Sequence, residues 1–342
     1  MKNLLPRVRG FFYRTQYFWT KLFLTLLTLL ITIILSFILI KSIPGDVVHN
    51  YALSIQNTQK ISYEEAYAQA TRLLNYDPEE SLFSSFLRYF GGLLRGNLGQ
   101  SMYMENVTVN SLIKSYLPWT LLISSVSLLL SFLIGTSMGV HMARKRSGLT
   151  DTVCTGIITV TSSIPDYLLG VILLMYFGSV LGIFPTYGAY DISSKGDTGV
   201  YILSILHHAA LPIITYTIAQ VGGWALMSKG SAVSVLGDDY VNAAIMRGLP
   251  PRLIERRYLK RNAMLPLITS LVISFAYLFG GSSVMEIVFS YPGNGKAFTT
   301  YIGKRDSFVV QGLFVFLSFF IIIANLLADT ICGLLDPRIR VK

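Results

Sequence analysis

Charged side chains are scarce in this chain, 13% of its 342 residues, and six long stretches hold none at all. That excludes a soluble domain of ordinary size, because no polar segment between the apolar stretches is long enough to build one. Cysteine is nearly absent as well. Cys154 and Cys332 lie far apart, neither in a CxxC pair, so a disulfide framework or cysteine-bound metal has no material, and both read as small packing residues. Enzymatic signatures are missing too: there is no HExxH and no GxSxG. Gly293-Asn294-Gly295-Lys296-Ala297 comes nearest to a P-loop but lacks its first glycine and its final hydroxyl. No catalytic residue, metal ligand or nucleotide cofactor is therefore assigned to this chain.

What the chain has in quantity is apolar sequence. The charge-free runs cover residues 22–40, 115–143, 152–165 (resuming after Asp166 as far as 190), 198–228, 262–285 and 307–328. A hydrocarbon core of about 30 Å needs about 20 apolar residues per helix, so the expectation is an all-α, polytopic membrane protein with six transmembrane helices. The first run is longer than a signal-peptide core, and Lys41-Ser42-Ile43-Pro44 offers no small-x-small cleavage pattern, so it reads as an uncleaved helix. With the N-terminus inside, the cytoplasmic segments hold eighteen lysines and arginines against ten outside, six of the ten in one long loop that also carries seven acids. Both termini are expected in the cytoplasm. The net charge of +10 is then a topology signal with membrane lipids as partner, and nucleic acid is not expected to bind.

Three segments result from this count. Residues 1–115 comprise one helix, about 22–40, and a long extracytoplasmic loop; 116–335 comprise five helices; 336–342 form a short cytoplasmic tail. The outer loop should hold two helical pieces. One is polar, over 62–75, with Glu64 and Glu65 in its first turn and Arg72 near its end. The other, over 82–94, places Phe83, Phe86, Leu87, Phe90 and Leu94 on one face, to pack on the spans or lie on the membrane surface.

A basic cytoplasmic loop at about 229–264 carries the most pointed pattern. Ala243-Ala244, then Gly248, then Pro250-Pro251 fit two short helices with a sharp bend, because glycine accepts the left-handed position after a helix and proline suits a first turn. A structured basic loop in so apolar a chain is suited to meeting another protein; lying on lipid through Arg252, Arg256, Arg257, Lys260 and Arg261 is the plainer alternative. Three further features stand out. Asp166 comes directly after Pro165 midway along the third run, where an aspartate costs about 2.5 to 3.5 kcal/mol at the bilayer centre, so it either lines a pathway or caps the resumed helix. Glu286 ends the fifth run, as a mouth residue or an ordinary interfacial charge. His207 and His208 have no ligand companions at useful spacing and read as headgroup-level hydrogen bonders.

Several of these residues resemble a known family. Asp239-Tyr240-Val241, Ala244, Gly248-Leu249 and Arg261-Asn262-Ala263-Met264-Leu265-Pro266 are similar to the cytoplasmic "EAA" loop of ATP-binding-cassette importer permeases. Further matches run through the chain in order: Pro44-Gly45-Asp46, Gly91-Gly92 to Gly99, Leu117-Pro118, Ile164-Pro165, Gly280-Gly281, Glu286, Pro292-Gly293, Arg305-Asp306 and Leu335-Asp336-Pro337-Arg338. The chain resembles the first, B-type permease of the oligopeptide, dipeptide and nickel importers. The resemblance implies the type I ABC importer permease fold in the bacterial inner membrane. It also implies a second homologous permease subunit, two ABC ATPase subunits that bind ATP and Mg, and an extracytoplasmic substrate-binding protein. Asp239, Tyr240, Asn242, Ala243, Ala244, Gly248, Pro250, Arg256 and Arg257 would then form the ATPase-coupling loop, with Glu286 at an acidic position of the family toward the pathway; Asp166 is a pathway candidate on its own placement, since relatives more often carry a small hydroxylated residue there. Asn242 stands where the motif opens with glutamate, so no ion-pair role is carried over there. Short peptides are the first cargo; nickel chelates, opine metallophores and oligosaccharides are the others. An ion-coupled secondary transporter is the rival reading, but it would usually show charges on several spans and two matching halves. An intramembrane hydrolase would need a nucleophile and base, or a metal constellation, within the spans.

Overall fold

A computed structural model describes residues 5–42, 47–73, 80–104, 107–144, 148–280 and 282–335 of the protein. Among them every regular element is helical apart from one isolated bridge, Gln100 to Thr108. The expectations for Pro44-Gly45-Asp46 and for the tail 336–342 lie outside the described residues, as does the side chain of Cys332.

Among the described residues five helices are long and apolar enough to cross a membrane: Trp19–Leu39 within α1 (Leu5–Lys41), α5 (Val109–Arg144), α8 (Thr198–Leu236), Pro251–Gly280, and Ser307–Ala328 within α14 (Ser307–Leu335). A sixth is reached if α6 (Leu149–Ser163) and the helix Asp166–Val180 count as one broken span. The break falls where the sequence places it. Ile164 and Pro165 are extended (ψ 123° and 136°), and the two halves meet at 92°, because proline disfavours helical geometry in the residue before it. The second half starts as α7 (Asp166–Leu173) and is wound as a π-helix over Leu174–Val180. At 1.5 Å per residue α8 is about 58 Å long, well beyond a bilayer core. Its first turn is capped by Asp197, which accepts the Gly199 and Val200 N–H groups at 2.7 and 3.2 Å.

The chain divides into two compact units. One comprises residues up to Leu117 together with Ala297–Leu326; the other comprises Pro118–Lys296 with the residues from Leu327 on. Ala297–Leu326 belongs to the unit that holds the N-terminal residues. The reason is packing: Val109, Leu112 and Ile113 share one buried cluster with Ala297, Tyr301, Val309 and Leu313. In the same unit Asp306, 1% exposed, accepts Ser101 Oγ at 2.6 Å and the Met102 and Tyr103 N–H groups at 3.0 and 3.2 Å, while capping α14 through Val309 N–H.

The loop helices show one omission and one revision. A helix absent from the sequence reading, α2 (Val47–Gln59), packs Val48, Tyr51, Ala52 and Ile55 on Ala66 and Ala70 of α3 (Tyr63–Leu73). The second expected piece is α4 (Leu82–Leu94), but its five apolar residues do not act as one face. Phe86 meets Phe37 edge-on at 5.4 Å, whereas Phe83, Leu87 and Leu94 stay exposed.

In the second unit α5 and α8 approach at backbone distance. Gly135 and Gly139, four apart on α5, face Val221, Trp224, Ala225 and Ser228, and a Cβ on Gly139 would collide with the Ala225 carbonyl oxygen. Ser228 Oγ donates to the Thr136 carbonyl at 2.9 Å across the same seam. Trp224 closes it edge-on against Phe132 at 5.1 Å. Lys229 pairs with the buried Asp151 of α6 at 2.5 Å. Cys154 packs with Met138, Met142, Ile158 and Ala225, as a small apolar residue would.

Candidate functional site

The basic loop begins where α8 ends at Leu236. Asp238, extended at ψ 141°, precedes α9 (Asp239–Met246), which puts the Asp239 carboxylate in the first turn, the favourable end of the helix dipole. Gly248 closes α9 at φ +73°. Its N–H donates to the Ile245 carbonyl at 2.9 Å, and the Leu249 N–H reaches the Ala244 carbonyl at 3.3 Å. That pair of bonds is a Schellman ending, which the left-handed glycine makes possible. Pro250 is extended and Pro251 starts the next helix.

The helix after Pro251 is not the second short one that was expected. A first turn α10 (Pro251–Leu253), a π-wound stretch Ile254–Leu259 and α11 (Lys260–Tyr277) run on as one helix to Gly280. Nothing between Leu253 and Asn262 breaks a helix, and Pro266 is absorbed inside the span, so the basic segment is the span's own first turns. The non-helical part of the expected 229–264 loop reduces to short links on either side of α9.

Inside the loop α9 is anchored by one face. Val241 and Ala244 are buried, and Tyr240 stacks on Tyr258 at 6.5 Å and receives the Asn262 amide at 2.9 Å on its hydroxyl. Ser231 Oγ donates to the Ala263 carbonyl at 2.8 Å, and Arg144 of α5 pairs with Glu255 at 2.7 Å. The opposite side is open: Asn242, Ala243, Ile245, Met246, Gly248 and Pro250 are exposed, with Arg256 and Arg257 exposed on the next helix. The two alanines therefore part company, Ala244 turning inward and Ala243 outward. Met246, 86% exposed, is an unusual residue to leave uncovered.

The two acidic candidates sit differently. Asp166 is exposed in the first turn of α7, and no side chain caps that helix start. Glu286 lies on α12 (Ser283–Val288), beyond the fifth span, and is 0% exposed, so it is neither an interfacial charge nor open to solvent in this conformation. Its carboxylate accepts Thr120 Oγ1 at 2.9 Å, Lys296 N–H at 2.9 Å and Gly295 N–H, the last two being first-turn donors of α13 (Asn294–Gly303). Thr120 Oγ1 in turn accepts Asn294 N–H at 2.8 Å. Gly293 passes so close that a Cβ there would overlap the carboxylate. Burial pushes the Glu286 carboxyl above its usual range, against the pull of those donors and of Lys296; burial likewise lowers the Lys296 ammonium. His207 and His208 bond the carbonyls of Ile183 and Ser204 at 2.8 Å each; His208 is buried and His207 exposed.

Sequence reasoning missed Thr120 and the Gly135–Gly139 pair as determinants. The last was findable, since small residues four apart in an apolar run mark close helix contact.

Residues 131–341 match the family described as binding-protein-dependent transport system inner membrane component. The chain belongs to that family. This permease is 31% identical over 324 residues to the di/tripeptide transport system permease protein DppB of Pseudomonas aeruginosa, covering 90% of this chain and 93% of the relative. It is 29% identical over 307 residues to the oligopeptide transport system permease protein AppB of Bacillus subtilis, with coverage of 90% and 93%. A glutathione transport system permease protein, GsiC of Pectobacterium atrosepticum, is 29% identical over 329 residues, covering 96% and 99%. In structure the permease is similar to a chain of the inward-facing MetNI methionine ABC transporter, with TM-score 0.53 and 21% identity over 66% of this chain and 96% of that one. The type I importer permease fold and an inner-membrane, multi-pass location are thereby established, and nothing supports the ion-coupled alternative.

Proposed function

We propose that this permease forms half of the import path for short peptides in an ATP-driven system. It would pair with a second homologous permease and receive cargo from an extracytoplasmic binding protein. Two ATPase subunits would bind ATP and Mg and drive it through the loop around α9, while this chain carries no cofactor. The names of the relatives, oligopeptide, di/tripeptide and glutathione permeases, favour peptides over nickel chelates, opine metallophores or oligosaccharides. The lysine and arginine distribution favours cytoplasmic termini and a cytoplasmic loop.

The observation that carries this reading is the two-sidedness of α9. Val241 and Ala244 fasten it to the long helices while Ala243, Ile245, Met246 and Arg247 stand exposed, a rigid and partly apolar knob that suits a groove on a partner. Asp239, Tyr240, Asn242, Gly248, Pro250, Arg256 and Arg257 shape and surround it. Gly248→Pro tests the coupling role. Proline holds φ near −65° and has no N–H, so it can supply neither the +73° bend nor the bond to Ile245. The variant should reach the membrane in normal amount and lose peptide-stimulated ATP hydrolysis and uptake in proteoliposomes. Normal uptake would contradict the assignment.

Asp166 has no capping bond to explain it, which favours a place along the pathway facing a cationic part of the cargo. Asp166→Asn should lower uptake of peptides with a basic side chain or free amino terminus by about ten-fold, the worth of one charge-assisted contact, while anionic cargo is spared. Equal uptake of both cargo classes, unchanged from the parent, would remove Asp166 from the pathway.

A further inference from the structure

We infer that α4 is an interfacial helix whose exposed apolar stripe lies against lipid, in the leaflet at the C-terminal end of the first span. The helix is complete without a partner. Ser81 accepts the Ser84 N–H at 3.2 Å at its start, and at its end the Gly96 and Asn97 N–H groups return to the Leu93 and Gly92 carbonyls at 2.9 Å each, with Gly96 at φ +73°. At about 100° per residue its surface divides into three sectors. Phe86 and Tyr89 occupy the first and pack on Phe37 of α1 at 5.4 and 5.7 Å. Phe83, Phe90, Leu94 and Leu87 fall within a second wedge of about 60°. There Phe83 and Leu94 are 71% and 74% exposed and Leu87 is exposed as well. The third sector carries Ser81, Ser84, Arg88 and Arg95.

A helix with an apolar stripe beside a basic polar face suits the boundary between acyl chains and headgroups. Its position supplies the rest. Phe37 belongs to the last turn of the membrane-spanning stretch Trp19–Leu39, and Lys41 is within electrostatic reach of Glu80 and Arg88, so α4 is held at the level where that span leaves the hydrocarbon. Around Phe37 the span itself exposes Leu35, Ile38 and Leu39, so the stripe of α4 continues a surface that already meets lipid. Arg95 and the partly exposed Arg88, though the latter is paired with Glu80 at 2.6 Å, place positive charge beside it for anionic headgroups. The α4 stripe would add an interfacial foothold for the N-terminal unit beside its first span.

The test uses the whole assembled transporter in nanodiscs of phosphatidylethanolamine and phosphatidylglycerol, with Cys154 and Cys332 replaced by alanine. Phe83→Cys, Leu87→Cys and, on the polar face, Ser84→Cys are each labelled with bimane and exposed to lipids carrying a doxyl quencher at a shallow or a deep acyl position. Quenching at positions 83 and 87 should exceed that at 84 by about three-fold and be stronger for the shallow quencher, as expected for burial several ångströms into the interface. Equal, weak quenching at all three positions would overturn the inference. So would lipid-independent emission that shifts when the binding protein or sister permease is added, which would assign the stripe to a protein. Because these residues are exposed, the cysteine variants should assemble normally; a parallel series at Leu94→Cys guards against local misfolding at either of the first two.

Discussion

Gly139→Val should yield a permease that inserts but does not hold together. Its new side chain has to occupy the position of the Ala225 carbonyl oxygen and the Lys229 backbone nitrogen, with Ser228 Cβ also in the way. The first two are main-chain atoms of α8, so no rotamer change relieves the clash and the two helices must separate. Separation also pulls Ser228 from the Thr136 carbonyl and disturbs the neighbouring Lys229–Asp151 pair. The cost should lie at or above the ~3 kcal/mol upper end of ordinary overpacking. In detergent, the thermal midpoint of the monodisperse peak on size exclusion should fall sharply or the peak vanish. Gly230→Ala is the control: on α8 a Cβ there meets nothing within 4 Å, so this variant should match or slightly exceed the parent. Equal behaviour of the two variants would mean the close approach of α5 and α8 is not as described.

Glu286→Ala should be nearly as damaging, through lost acceptors instead of a clash. It would leave Thr120 Oγ1, Lys296 N–H and Gly295 N–H facing an empty space. Each buried group left unsatisfied costs about 1 to 3 kcal/mol, so a total of roughly 3 kcal/mol or more is expected. Glu286→Gln separates hydrogen bonding from charge. Its amide oxygen can still accept from Lys296, and its NH₂ can donate to Thr120 Oγ1. Acidity gives the second readout. Because burial raises the folded-state pKa of Glu286, the stability it contributes is fully present below the ordinary glutamate pKa of about 4.3 and is lost as pH rises through the raised folded value. The parent should therefore lose thermal stability across that window while Glu286→Gln stays flat there. A parent and a glutamine variant with parallel pH profiles would show that this carboxyl does not titrate in the folded protein.

The features legible in the sequence are those decided by near neighbours. Charge-free length marked the spans, Pro165 marked a break that measures 92°, and Gly248 with Pro250-Pro251 after it marked a left-handed ending and a restart. The hidden features depend on partners far along the chain. Glu286 looks like a boundary charge until Thr120, 166 positions earlier, is set against it. The α4 residues form one apolar face on paper, and only the location of Phe37 decides which of them is covered. The helix α2 buries Val48, Tyr51, Ala52 and Ile55 at helical spacing, but two of the four are weakly apolar, and their burial rests on the small surface of Ala66 and Ala70. Within the loop, the existence of a bend was readable, while the length of the helix beyond Pro251 was not. Glu255 through Arg261 are polar enough to resemble a loop, and they are helical because the span beneath them continues upward.

That continuity has a mechanical meaning. From Pro251 to Gly280 the chain is a rod about 45 Å long, with its foot beside α9 and its head six residues short of Glu286. A tilt of about 10° about the foot carries the head sideways by about 8 Å, more than the rise of one helical turn. Its irregular windings lie at the two ends, Ile254–Leu259 at the base and Leu278–Gly280 at the tip, and Pro266 sits within the continuous helix between them. Displacement entering at the base would emerge at the far side of the membrane amplified.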